Sequence, residues 1–176
     1  MSSRVILRAP TLREEARFLE AARRSRGLHR HFAYPPLTPQ AFGVFLRRAK
    51  QSSHESHLVL DSRSRALVGV VNLNEIVHRS FHSAYLGYYA FEPHSGRGLM
   101  SEGVALVLQR AFWQQGLHRL EANIQPDNTQ SIALVKRLGF RREGFSPRYL
   151  KLGGRWRDHE RWALLREEWR RTRVAA

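Results

Sequence analysis

The sequence predicts a single mixed α/β domain, and three observations carry the prediction. β-rich runs and helically spaced apolar runs alternate along the chain with no linker and no internal repeat between them. An aromatic strand, Ser83 to Phe91, passes through a glycine-bearing loop directly into an apolar helix, so the strand after that helix, Arg119 to Gln125, should run parallel to it. A three-strand meander leads up to this unit and a last hairpin closes the chain. The 176 residues suit one domain, 1–176, with its core over 5–166.

Val5-Ile6-Leu7 reads as the opening strand, and Thr11 with Glu14 three residues on forms a capping box. A helix follows to about Arg26, with Leu12, Ala16, Leu19 and Arg23 along one stripe. Gly27 to Pro39 holds His29, His31, Phe32, Tyr34 and three prolines, which excludes regular structure and suggests a substrate-side loop. Histidines on such a loop are ordinarily surface residues. Gln40 to Gln51 returns to helical spacing through Phe42, Phe45, Leu46 and Ala49. His57 to Leu60 and Leu67 to Leu73 are strands joined by the turn Asp61-Ser62-Arg63-Ser64. The helix beginning at Gly98 runs to about Gln115 and stops at Gly116, and a shorter one spans Ser131 to Leu138 before Gly139. Phe140 onward is a strand that turns at Gly153-Gly154 and returns over Arg155 to Leu165, and Glu167 to Arg173 reads as a polar tail.

The formal charge is +15, and apart from Lys50, Lys136 and Lys151 every cation is an arginine. Arginine forks match phosphate, so a polyanionic partner such as a ribosome fits; the same richness also fits a merely solvated surface, because the cations are scattered. There is no cysteine, which excludes disulfides and thiolate chemistry and agrees with a cytoplasmic protein. No apolar run approaches the ~20 residues of a membrane span, and the N-terminus leads into a strand instead of a signal peptide. No metal site is expected.

The loop Glu92 to Ser101 has the chemistry of an anion site. A helix start leaves backbone N–H groups unpaired at the positive end of its dipole, which suits phosphate oxygens. Gly96 and Gly98 let the backbone approach a ligand, and Arg97 between them adds charge. No Gly-Lys-Ser/Thr follows, and Gly96, Gly98, Gly103 does not fit G-x-G-x-x-G, so a triphosphate or dinucleotide loop is excluded. An ordinary strand-to-helix turn with two glycines carries the same local signature.

The order of elements, with Ser95-Gly96-Arg97-Gly98-Leu99-Met100-Ser101-Glu102-Gly103, then Asn128-x-x-Ser131 and Leu138-Gly139-Phe140, resembles the GNAT superfamily of acetyl-coenzyme A dependent N-acetyltransferases. Within it, Ser80 to Tyr88, Arg137-Leu138-Gly139-Phe140 with Glu143-Gly144, and Trp156-Arg157-Asp158-His159 resemble the RimJ/RimL-type ribosomal-protein-alanine acetyltransferases, RimJ most. The likeness covers roughly Gly69 to Leu164. It implies a twisted, mostly antiparallel sheet whose central parallel strands splay. It also implies acetyl-coenzyme A as cosubstrate, with the diphosphate on Ser95, Gly96, Arg97, Gly98, Leu99, Met100 and Ser101. The pantetheine arm would lie beside Ala90 and Phe91 and touch Asn128, which local sequence alone reads as a helix N-cap.

The resemblance implies an oxyanion donor among the backbone N–H groups near Phe91, and makes Ser131 the general acid that protonates the leaving thiolate; a serine in a first helical turn is also a routine polar residue. The base is missing. A RimI-type glutamate and tyrosine fall on Asn123 and Val135, and a RimL-type glutamate falls on Leu150. Tyr149, Glu75 and His78 stand nearby by fold analogy, and His31, Tyr34, Glu75 and Tyr149 are expected to line the substrate side. An α-amine titrates near ~7.7–8.0 against ~10.4 for lysine, so a missing base favours an N-terminal amine. The expected acceptor is thus a protein N-terminus, ribosomal or on an assembling ribosome, with the basic surface available to ribosomal RNA. The alternatives are a small amine such as an antibiotic or polyamine, and a non-catalytic basic RNA-binding module.

Overall fold

The computed structural model describes residues 3–169. Seven strands form one sheet: β1 (Val5–Arg8), β2 (Glu55–Asp61), β3 (Leu67–Val77), β4 (Ser83–Ala90), β5 (Arg119–Ile124), β6 (Arg141–Leu152) and β7 (Arg155–Leu165). Their order is β1-β2-β3-β4-β5-β7-β6. Every pairing is antiparallel except β4 with β5. Among the described residues the five α-helices are α1 (Glu15–Arg24), α2 (Arg26–His29), α3 (Pro39–Arg48), α4 (Leu99–Gln109) and α5 (Thr129–Arg137).

α4 is apolar nearly all round because it is buried nearly all round. Leu99, Val104, Val107 and Leu108 join Leu120, Ile124 and Leu164 in the larger core on one face of the sheet. A Cβ at Gly103 would stand 2.7 Å from Val59, so this glycine lets the helix lie close on β2. The opposite face is covered by α1 and α3, where Phe18, Phe42 and Phe91 form an aromatic cluster with Leu58 and Leu60.

Several local expectations change. The capping box is present, with Thr11 N–H donating to Glu14 at 3.0 Å, but it opens a 3-10 turn, Leu12–Glu14, before α1. Leu12 is therefore 68% exposed, and the buried stripe of α1 is Phe18, Leu19, Ala21 and Ala22. The segment after Gly27 begins as a helical turn, α2, and becomes irregular only at Arg30. A π-helical turn, Arg110–Gln114, closes the helix that was expected to run to Gln115. β6 tolerates Pro147 because it is an edge strand whose register shifts between Ser146 and Leu150, where that residue falls. The polar tail begins with Trp169 buried in the larger core, and residues 170 to 173 of it lie outside the described residues.

The feature that matters for function is a break in the sheet. β4 and β5 pair only at Ser83–Arg119, Ala84–Leu120 and Tyr85–Glu121. Beyond these, Leu86 to Ala90 stay with β3 while Ala122 to Ile124 stay with β7, and a notch opens between them.

Candidate active site

At the far end of β4, the Phe91 N–H donates to the Val68 carbonyl at 2.7 Å, so Phe91 spends its backbone on β3. Alternation along an antiparallel ladder turns the backbone groups of Tyr88 and Ala90 the other way, toward the notch. Of the backbone N–H groups near Phe91, that of Ala90 therefore faces the notch. The next N–H, of Glu92, is taken by Ser25 Oγ at 2.9 Å. His29 donates from Nε2 to the Ala90 carbonyl at 2.7 Å, leaving Nδ1 as a buried acceptor with no partner among the described residues. Burial holds the His29 ring well below its usual pKa, although the Ala90 bond and Glu92 oppose the shift.

Below the notch the chain turns through Gly96 (φ 72°) and Gly98 (φ 78°). Gly98 is the N-cap of α4, and a side chain there would be strained in that left-handed conformation. The Glu102 N–H is bonded to the Gly98 carbonyl at 3.3 Å, and the N–H groups of Leu99, Met100 and Ser101 precede the first helical acceptor. Across from them, Arg137 of α5 reaches Ser101 Oγ at 3.4 Å. His94 is kept below its usual pKa by burial and then by the charges of Arg97 and Arg24, opposed by Asp61 and Glu92.

A cavity of about 510 Å³ joins these parts. Ala90, Ser95, Gly96, Gly98, Met100 and Ser101 line it from the loop side, and Asn128 and Ser131 line it from α5. Asn128 caps α5, its Oδ1 accepting from the Ser131 N–H at 3.2 Å, and the Tyr88 hydroxyl donates to the Ser131 carbonyl at 3.1 Å. Burial pushes the Tyr88 phenol well up, so it stays protonated and donating.

Phe91, Arg97 and Leu99 are not in the cavity wall: Phe91 and Leu99 are core residues and Arg97 points outward. His31 tethers the loop instead, its Nε2–H donating to Asp127 Oδ2 at 2.8 Å, while Gln125 donates to the His31 carbonyl at 2.9 Å. Tyr34 packs against the β6–β7 turn, where a Cβ at Gly153 would run into its phenol. The Arg30 to Thr38 loop therefore bridges the notch from the β5–α5 turn to the hairpin tip. Tyr149 packs by His159, with ring centres 6.2 Å apart, away from this cavity. Glu75 pairs with Arg48 and His54 on the far side of β3, and His78 is exposed in a loop.

Sequence reasoning missed His29, Tyr88, His94 and Arg137 as members of this site. Arg137 carried a signal, since it ends the helix that Asn128 caps. His29 stood in a segment read as a substrate-side loop, and nothing in the sequence signalled its burial in α2 against Ala90.

A family model for the acetyltransferase (GNAT) domain matches residues 4–141. The chain belongs to the GNAT acetyltransferase family. It is an N-acetyltransferase by that membership, and enzymes of the family use acetyl-coenzyme A. Its sequence is 35% identical over 136 residues to the [ribosomal protein uS5]-alanine N-acetyltransferase of Escherichia coli, spanning 77% of this chain and 70% of that one. Mycobacterium smegmatis RimJ in complex with CoA-disulfide superposes with a TM-score of 0.83 at 26% identity, over 93% of this chain and 83% of that chain. The spermidine N-acetyltransferase of Vibrio cholerae, in complex with CoA and spermine, shares the fold with a TM-score of 0.80 at 21% identity, over 95% of this chain and 98% of that chain.

Proposed function

We propose that this enzyme transfers the acetyl group of acetyl-coenzyme A to the N-terminal α-amine of a ribosomal protein. The observation that carries the reading is the placement of the outward Ala90 N–H and the unpaired N–H groups of the α4 start on one cavity. A thioester bound there has its diphosphate and its carbonyl served by the same wall.

The residues present fit the cofactor. Gly96, Gly98, Leu99, Met100 and Ser101 offer backbone N–H groups to the diphosphate, with Arg97 and Arg137 supplying charge. Ser95 sits at the loop entrance. The pantetheine arm completes the interrupted sheet beside Ala90, with Phe91 anchoring that end of β4 in the core and Asn128 offering its Nδ2. Acetyl-coenzyme A supplies an activated acetyl thioester. The Ala90 N–H stabilises negative charge developing on the carbonyl oxygen, and Ser131 gives a proton to the departing sulfur.

No carboxylate stands at Asn123, Val135 or Leu150, and an α-amine needs no strong base to be neutral near pH 8. The acceptor side is assigned to His31 and Tyr34 on the bridging loop, Tyr149 on β6 and Glu75 on β3. The ribosomal acceptor is supported by the E. coli relative's named activity. A charge of +15 repels a polyamine at long range, which weighs against the small-amine reading. The same charge repels a free cationic ribosomal protein, so docking on ribosomal RNA phosphates is the proposed source of attraction.

The test is co-sedimentation with ribosomal particles across a salt series beside acetylation of a free N-terminal peptide. Association that weakens steeply with salt and transfer to the peptide α-amine support the reading. Salt-insensitive or absent association, with efficient acetylation of small amines, overturns it. Loss of transfer with retained RNA association would favour a non-catalytic module.

A further inference from the structure

Besides the glycine loop and α5, the cofactor cavity is walled by α2 and the residues that follow it, Gly27, Leu28, His29, Arg30, Phe32 and Ala33. His29 is the buried member of this wall, at 5% exposure. Its Nε2 bond to the Ala90 carbonyl, with edge-on contacts to Tyr89 and Phe91 at ring-centre distances of 5.6 and 5.9 Å, fixes the plane of the imidazole. A carbonyl oxygen only accepts, so Nε2 carries the proton and Nδ1 of the neutral ring is an acceptor. Burial holds the ring in that neutral form against the pull of the Ala90 bond and of Glu92. Nδ1 is buried on the cavity wall with no hydrogen-bond partner among the described residues. Such an atom is costly to leave unpaired, and a ligand that brings an N–H or O–H satisfies it.

The pantetheine arm of coenzyme A brings both, in its amide groups and its hydroxyl. An arm that continues the sheet beside β4 needs acceptors where a neighbouring strand would offer carbonyls. Tyr88 and Ala90 are the residues at this end of β4 that turn their backbone to the notch, and the Ala90 carbonyl is already bonded to His29. Nδ1 is the acceptor on the other side of that same ring.

We infer that His29 is a cofactor-binding residue that accepts a hydrogen bond from the pantetheine arm at Nδ1 while it donates to Ala90 from Nε2. The ring carries the acceptor character of the Ala90 carbonyl into the cavity, and the two bonds polarise one another, so the arm and the end of β4 are held together. The inference rests on the acetyl-coenzyme A reading of this cavity.

Calorimetry of coenzyme A and of ADP with the wild type and His29→Gln separates the two ring nitrogens. A glutamine amide donates from close to the position of Nε2, so the tie to Ala90 persists while nothing replaces Nδ1. Coenzyme A should bind the variant about tenfold more weakly, the loss expected for one buried hydrogen bond. ADP, which has the diphosphate without the arm, should bind both proteins equally. The wild type alone gives a second measurement, independent of how the variant folds. In ¹⁵N NMR of the histidine rings, with His29 assigned through its contacts to Tyr89 and Phe91, its Nδ1 resonance should move upfield when coenzyme A is added, as an imidazole nitrogen does on accepting a hydrogen bond, and stay in place with ADP. Equal coenzyme A affinity in folded His29→Gln, an equal loss for ADP, or an Nδ1 resonance indifferent to coenzyme A overturns the inference and leaves the cofactor site standing. A wild type that binds no coenzyme A removes both.

Discussion

His29 Nε2 and the Ala90 carbonyl oxygen are joined at 2.7 Å, and this bond fixes the last residue of β4 at the edge of the notch. One backbone group of Ala90 is thereby held by a buried ring, while the other is left to the cavity. The edge of the ring meets Tyr89 and Phe91, so the aromatic cluster under α1 supports the same residue.

His29→Leu removes that donor and strands the Ala90 carbonyl. A buried acceptor left unpaired costs about 1–3 kcal/mol, so denaturant unfolding should show a loss in that range. The catalytic rate constant should fall in the same variant, since the N–H of Ala90 is then less firmly aimed. His29→Gln, which can donate from its amide, should recover part of both.

Acid should destabilise the protein before any carboxylate titrates. His29, His54, His94 and His159 all have pKa values pushed below their ordinary value of 6.5, burial being the largest cause in each. The unfolded chain then binds more protons than the native one below 6.5, so stability is fully present above that pH. It is lost as pH falls from 6.5 through the lowered native values. Thermal melts between pH 7.5 and 5 should show a falling Tm, and His159→Phe or His29→Gln should flatten the profile.

Much of this arrangement is legible in the sequence, and the legible part is local. Thr11 with Glu14, Gly98 before an apolar helix, and Asn128 three residues before Ser131 are short-range signals whose chemistry determines a cap or a turn. The parallel pairing of β4 with β5 follows from the helix between them. What the sequence hides is where separate elements meet. His29 looks like a loop residue until α2 carries it under Ala90. Glu75 reaches His54 only through a bulge in β3 that no strand pattern reports. Leu12 misleads in the opposite sense, because its helical spacing ignores the 3-10 turn it occupies.

Arg97→Glu and Arg137→Glu should weaken acetyl-coenzyme A binding without lowering the Tm of the free protein, because both side chains are exposed. A charge-assisted contact to phosphate is worth about 1.5–3 kcal/mol, which corresponds to at least a tenfold rise in Kd by calorimetry. The penalty should shrink as salt is added. In the wild type, cofactor at 100 times its Kd should raise stability by about 2.7 kcal/mol.

Ser131→Ala separates chemistry from binding. Ser131 lines the cavity, while its backbone N–H, and not its hydroxyl, serves the Asn128 cap. Removing the hydroxyl should leave α5 and cofactor affinity intact. Single-turnover acetyl transfer should slow by about 10²-fold if the hydroxyl is the general acid. An unchanged rate would reduce Ser131 to a helix residue.

The central claim is acetyl transfer to the α-amine of a ribosomal protein. Its most direct measurement is intact-mass spectrometry of ribosomal proteins from cells lacking this enzyme, before and after incubation of their ribosomal particles with the purified protein and acetyl-coenzyme A. The account predicts one ribosomal protein that gains a single acetyl group, mapped by fragmentation to its N-terminal residue. No mass change in any ribosomal protein, with spermidine acetylated by the same preparation, would contradict it.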